Sequence, residues 1–408
     1  MNIVALARIN AWHGVHGGME VHGRLLSEGL VHRGHQVSLI CTAHPSGHRY
    51  DEKCGVRIFY LGEVPYGTRR KRWSSASVAK VMELHRQRES DIIWSQSFDG
   101  FGLVQHRRFL KSVPLVLTAH GCIQQELISA LANRRIIFRR PSKLLRSVFG
   151  LFYSYYITQK PLLRAATTIF TVSPQVRDDL IKWYGRSLSG KCMTVPNGID
   201  TDRFHPDFND YKRVRNAHGV LKGETLLLTL GRLTHEKGHH LALASLKRLL
   251  GQQKKVKLLI VGEGNYRSRL QAQTQQLGLE DFVRFAGKVP NDKVVQFYNA
   301  ADIVLMPTLT VEGLPFVLLE AMACQKPVIA SRIGGNTFII ENGRNGILIE
   351  RGSRQRLTEA ITDLIENSQQ RNEIGRLARK TVISSFSKDR MVDRIEEQMQ
   401  RIACGRKK

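Results

Sequence analysis

Short β-branched runs alternate with longer amphipathic stretches along the whole chain, and this alternation restricts the fold more than any other feature. Residues 2–7, 36–42, 92–94, 114–119 and 167–172 read as strands, with a helix over about 19–33 and helical periodicity in the other gaps. A second series restarts at 225–230 and continues at 256–261, 283–285, 303–305, 327–330 and 346–349. Strand–helix alternation predicts parallel sheets covered on both faces. Between the series, Val195-Pro-Asn-Gly-Ile-Asp200 is turn chemistry, and 203–216 is polar without a clean period. The expected organisation is α/β: an N-terminal domain over 1–198 and a C-terminal domain over 199–386, each a doubly wound parallel sheet, facing a central cleft. Residues 387–408 read as a helix packing back toward the N-terminal domain.

A chain of 408 residues is long enough for two such domains. Its charge narrows the partners. Lys and Arg number 62 against 35 Asp and Glu, a net of +27. Residues 1–200 hold 28 basic and 13 acidic side chains, so the excess is not a detachable tail. An anionic substrate, an anionic membrane surface and nucleic acid all suit that charge. No helix-turn-helix, RNP-like or zinc-finger pattern is present, so nucleic acid is not expected. The six cysteines are scattered without C-x-x-C spacing and read as reduced thiols. The N-terminus reads as a buried strand rather than a signal peptide, and no apolar run approaches the ~18 residues of a membrane span. A cytoplasmic protein is expected.

Glycine-rich turns follow several of the strands. Gly14-Val-His-Gly17-Gly18-Met-Glu20 lies between the first strand and a helix, where backbone amides can approach a phosphate. It lacks G-x-G-x-x-G spacing and equally suits a plain tight turn. Gly231-Arg232 and Lys237-Gly238 follow the strand ending at Leu230; the two cations form a candidate diphosphate clamp, or a solvated basic loop. Gly262-Glu263-Gly264 follows the next strand. In Glu312-Gly313-Leu314-Pro315-Phe316-Val317-Leu-Leu-Glu320, Gly313 and Pro315 delay the helix start to about Pro315. Glu312 is then a loop residue and Glu320 lies on the second turn. Carboxylates so placed can hold sugar hydroxyls, and the free amides of 314–317 can meet a phosphate. Two surface glutamates would have the same spacing. His120 ends the strand 114–119, either facing a ligand or satisfied at the strand end.

Taken in order, these residues resemble the retaining glycosyltransferases of family 4, the group 1 glycosyl transferases. The resemblance rests on Gly17-Gly18-x-Glu20, the Asn-Gly-Ile-Asp turn at 197–200, the Gly-Arg…Lys-Gly element at 231–238, the run 312–331 and Gly334-Gly335. It spans nearly the whole chain and implies the GT-B fold of two Rossmann-like domains. The implied catalytic residues are Glu312, His120, Arg232 and Lys237. Arg232 and Lys237 would bind the diphosphate of a nucleotide-sugar, Glu320 the ribose, Glu312 and His120 the donor sugar, and Gly18 a phosphate through its amide. Gly17, Gly262, Glu263, Gly313, Leu314, Pro315, Phe316 and Val317 would line the donor site. Phe338 stands where the family often has a glutamate. No Asp-x-Asp ends a strand, so neither a metal nor a cofactor is expected, the nucleotide-sugar being a co-substrate.

The stretch 127–177 contains no acidic residue, and at 134–160 cations interleave with Ile, Phe, Leu and Tyr. Such a segment suits an anionic bilayer, or packs as a solvated helix on the first domain. The expected activity is sugar transfer, with retention, to a hydroxyl of a glycan or lipid-linked acceptor in cell-surface polysaccharide or lipopolysaccharide synthesis. The enzyme would then sit peripherally on the inner face of the plasma membrane. The alternatives are a two-domain nucleotide-sugar epimerase and a basic nucleic-acid-binding protein.

Overall fold

In a computed structural model, residues 1–14, 17–67, 71–122 and 154–405 are described. Most of the basic segment at 134–160 lies outside them. The chain divides into two units, residues 1–198 with 388–408, and residues 199–387.

In the first unit the described strands are β1 (Asn2–Leu6), β2 (Gln36–Thr42), β3 (Tyr50–Lys53), β4 (Val56–Leu61), β5 (Ile92–Gln96), β6 (Leu115–Ala119), β7 (Thr168–Thr171) and β8 (Cys192–Thr194). They form one sheet in the order β3-β4-β2-β1-β5-β6-β7-β8. All neighbours are parallel except β3 and β4, an antiparallel hairpin closed through Cys54 and Gly55. Both faces of the central strands are covered, so Ile3, Leu39, Ile93 and Leu117 are fully buried and these strands read as mainly apolar runs. Ion pairs join the closing helix Lys388–Cys404 to this unit, Arg33 meeting Asp393 and Glu396. Its buried face is Met391, Val392, Ile395 and Met399, one side at helical spacing. Val392 packs on the bare backbone of Gly29 in the helix Gly18–His32.

The second unit carries β9 (Thr225–Leu230), β10 (Val256–Val261), β11 (Val283–Gly287), β12 (Ile303–Met306), β13 (Val328–Ser331) and β14 (Ile347–Ile349). These run parallel in the order β11-β10-β9-β12-β13-β14. Counted within the unit this is 3-2-1-4-5-6, the Rossmann order. Its core packs Leu246, Leu258, Ile303, Ile329 and Ile361 between sheet and helices. The order reverses between β9 and β12, paired at Leu227 and Ile303. In the first unit the corresponding reversal lies between β1 and β5, paired at Ile3 and Ile92. In open α/β sheets ligands bind outside the carboxyl ends of the strands at such a reversal.

Three strands and one helix escape the sequence reading. Tyr50–Lys53 is polar and is a strand because β4 offers it an edge; β4 carries a β-branched and aromatic pattern, and β8 is a short edge strand. The polar stretch 203–216 contains a helix, Phe208–Ala217, capped by the Asp207 side chain. Its period is hidden because one of its two buried positions is Arg215, which pairs with Asp302 at 2.8 Å.

Candidate functional site

The second unit gathers the larger set of candidates. The loop after β9 and the loop after β12 both leave the switch point, and they are tied together. Lys237 Nζ lies 2.8 Å from Glu312 Oε1, and the Thr308 hydroxyl is 3.1 Å from the same oxygen. The Leu309 amide donates to the Glu236 carbonyl at 2.6 Å. Glu312 and Lys237 are both half-buried, so a cation and a carboxylate share one partly screened spot. Arg232 is exposed, and its guanidinium has no hydrogen-bond partner among the described residues.

Backbone packs on backbone at this edge. Gly262 has φ +135°, and a Cβ there would stand 1.9 Å from the Gly231 carbonyl oxygen. A Cβ on Gly335 would stand 1.9 Å from the carbonyl oxygen of Gly313. The Gly335 amide also donates to the Glu312 carbonyl at 2.9 Å, so the loop after β13 supports Glu312 from behind. Leu314 and Phe316 are buried, and Pro315 is the N-cap of the helix Phe316–Ala323, whose start has no side-chain cap. Val317 is half-buried on its first turn. Glu263 pairs with Arg267 one turn on.

Glu320 is buried, and Tyr298 donates to its Oε2 at 2.6 Å. Burial raises the carboxyl pKa; the tyrosine bond and the charge of Arg203 oppose the rise. His239, just past Lys237-Gly238, uses both ring nitrogens: Nδ1 meets the Thr229 hydroxyl at 2.9 Å and Nε2 the Arg232 carbonyl at 3.1 Å. Burial lowers its pKa to about 4, so the ring is neutral and Nε2–H donates. It braces the backbone of Arg232 against β9.

In the first unit, Gly17 is the N-cap of the helix Gly18–His32 and makes no side-chain cap. The Glu20 carboxylate folds back over it, its Oε2 being 2.3 Å from where a Gly17 Cβ would sit. His120 follows β6, and burial lowers its pKa to about 4. His22 meets it edge-on at 4.7 Å. Gln96, the last residue of β5, donates through Nε2 to the Met19 carbonyl and stands 3.4 Å from His120 Nε2. An amide NH₂ can only donate, which assigns the His120 ring proton to Nδ1. Gln96 therefore connects the helix start after Gly17 to His120.

Four participants were not singled out from sequence: Thr308, His239, Tyr298 and Gln96. Each lies in an apolar or glycine-rich run where nothing local distinguishes it from a core residue. Among the described residues no three acidic, imidazole or thiol side chains gather as a metal site, and no helix is long and apolar enough to cross a membrane.

Comparison with known proteins places these features in context. Residues 16–203 match Glycosyltransferase Family 4, and residues 210–381 match Glycosyl transferases group 1. The alpha-monoglucosyldiacylglycerol synthase of Streptococcus pneumoniae is 28% identical over 79% of this chain and 69% of its own. The sucrose-phosphate synthase of Thermosynechococcus elongatus superposes with a TM-score of 0.82 at 20% identity, covering 99% of both chains. The Anabaena HepE protein, solved with UDP-glucose, superposes with a TM-score of 0.72 at 23% identity, covering 98% of this chain and 99% of its own.

Proposed function

The chain belongs to the group 1 glycosyl transferases of family 4 and has the GT-B fold, and from that premise we propose that it moves a sugar from a nucleotide-diphosphate sugar to an acceptor hydroxyl with retention of configuration. The observation that carries the reading is the Lys237–Glu312 pair at the switch point of the second sheet. One of its members suits a diphosphate and the other a sugar hydroxyl, side by side.

The chemistry then follows from charge. As the glycosidic bond to the nucleotide breaks, the sugar gains oxocarbenium character and negative charge grows on the departing diphosphate. Arg232 and Lys237 stabilise that charge, and because Glu312 already holds Lys237 in place, little reorganisation is left for the moment of reaction. Glu320 accepts from the ribose hydroxyls. In the first unit the Gly18 amide serves a phosphate and the neutral His120 ring donates Nδ1–H to a sugar hydroxyl. The acceptor attacks from the leaving-group face, and the phosphate takes its proton. No metal enters this scheme.

The acceptor in this reading is a glycan or lipid-linked glycan of cell-surface polysaccharide or lipopolysaccharide synthesis. The glycolipid activity named for the pneumococcal relative supports a lipid-linked acceptor, and the basic excess supports a peripheral position on the inner face of the plasma membrane. Anionic vesicles should co-sediment the protein at low salt; failure to do so removes the membrane part alone.

The test of the donor reading is thermal stability against UDP, GDP, ADP and their sugar derivatives, with chelator present. A ligand at ~100 times its Kd stabilises the folded state by roughly 2.7 kcal/mol. One nucleotide family should shift the melt, and Arg232→Ala should abolish the shift. No shift with any of them overturns the reading.

A further inference from the structure

We infer that Tyr298 is a positioning residue for nucleoside recognition: its hydroxyl holds Glu320 in the one orientation that leaves a carboxylate oxygen for a vicinal diol. The inference rests on the assignment of Glu320 to ribose. Tyr298 stands on the helix Val294–Ala300 and is completely buried, with Phe204 edge-on to its ring at 6.2 Å. A buried phenol needs a partner for its O–H, and Glu320 Oε2 at 2.6 Å is that partner. Glu320 projects from the second turn of the helix Phe316–Ala323 and keeps 7% exposure. Among the described residues its carboxylate makes no other hydrogen bond, so Oε1 is the oxygen that remains for a ligand.

The choice of a tyrosine matters chemically. A lysine or arginine at this position would also orient the carboxylate but would neutralise it. Burial and the nearby carboxylate keep the phenol protonated, so it donates one hydrogen bond and adds no charge. The phenol therefore orients the carboxylate without offsetting its charge, and a charged acceptor binds hydroxyl donors more strongly than a neutral one. Without the phenol, a glutamate with three side-chain torsions would spread over several rotamers, and the ordering would fall on the ligand instead.

The test uses the whole protein with UDP, GDP and ADP and their 2′-deoxy and 3′-deoxy forms, with affinities read by calorimetry. The wild type should bind the preferred ribonucleotide at least about tenfold more tightly than its deoxy forms. Tyr298→Phe should weaken the ribonucleotide about tenfold and leave the deoxy forms nearly as they were, so that the ratio collapses toward one. In turnover the loss should fall on the donor KM more than on kcat. Glu320→Asp keeps the charge but withdraws it from the phenol and the ribose together, so a ratio retained in this variant would refute the inference even if Tyr298→Phe does not fold. If Tyr298→Phe or Glu320→Asp keeps the wild-type ratio while Glu320→Ala loses it, Tyr298 does not position the carboxylate. If Glu320→Ala itself keeps the ratio, or none of the three ribonucleotides binds, the underlying assignment fails and this inference falls with it.

Discussion

Replacing Gly335 with alanine tests whether close backbone approach builds the edge that carries Glu312. Gly335 has ordinary right-handed dihedrals, φ −65° and ψ −15°, so alanine is not strained there by its own backbone. With free space around it the substitution would stabilise by about 0.4–1 kcal/mol through the unfolded state. The space is not free. The new Cβ would stand 1.9 Å from the Gly313 carbonyl oxygen, 2.7 Å from its carbon and 2.8 Å from Leu314 Cα. All three are backbone atoms, so no side chain can swing aside, and the two loops must part by about 1.5 Å to restore van der Waals contact. Overpacking of this kind costs about 1–3 kcal/mol. For a unit spanning residues 199–387, that lowers the melting temperature by roughly 3–10 °C. Because the Gly335 amide holds the Glu312 carbonyl, the same displacement pulls Glu312 away from Lys237, so nucleotide-sugar binding should weaken too. Gly251→Ala is the control: it ends a helix and has nothing within 4 Å of its would-be Cβ. Differential scanning calorimetry decides the matter. A Gly335→Ala protein that melts at or above the wild type would refute the reasoning.

Other expectations follow from the same geometry. Arg232→Ala and Lys237→Ala should each lower kcat/KM by about 100-fold or more, since each removes a charge contact that strengthens as the leaving group departs. A loss under about threefold for both, followed by nucleotide release from the donor, would mean the clamp is misassigned. Turnover should survive EDTA; total loss restored by Mg²⁺ or Mn²⁺ would sink the metal-free scheme. The folded pKa of His239 and of His120, about 4, lies below the ordinary 6.5, so the unfolded chain binds more protons between these values. Stability is then fully present above pH 6.5 and falls as pH drops toward 4, by at most about 1.4 kcal/mol per unit for each ring. His239→Gln should flatten that slope in denaturant titrations at pH 7, 6 and 5; an unchanged slope would show that the buried ring is not its source.

Local pattern reached far into this fold. Thr225–Leu230 and Val256–Val261 announce themselves by mainly apolar, partly β-branched runs interrupted only by two threonines and Lys257, because a strand covered on both faces needs no regular polar side. The family was legible in the run 312–331, where Gly, Pro and Glu occur in fixed order. Less was visible where an element owes its form to a partner. Tyr50–Lys53 is a strand only beside β4, and the helix Phe208–Ala217 buries an arginine that an apolar period cannot register.

The site divides along the same line. That a loop carries Arg232 and Lys237, and that Glu312 precedes a helix bearing Glu320, follows from short-range preferences: glycine permits turns, and proline starts helices. Which of these side chains meet is a matter of sheet order. Lys237 and Glu312 are 75 residues apart and come within 2.8 Å because β9 and β12 are neighbours, although two strands separate them in sequence. Gln96 reaches both Met19 and His120 for the same reason, because β5 lies between β1 and β6. Pairing across a sheet is decided by the burial of all its strands together, and no local window of sequence contains that sum.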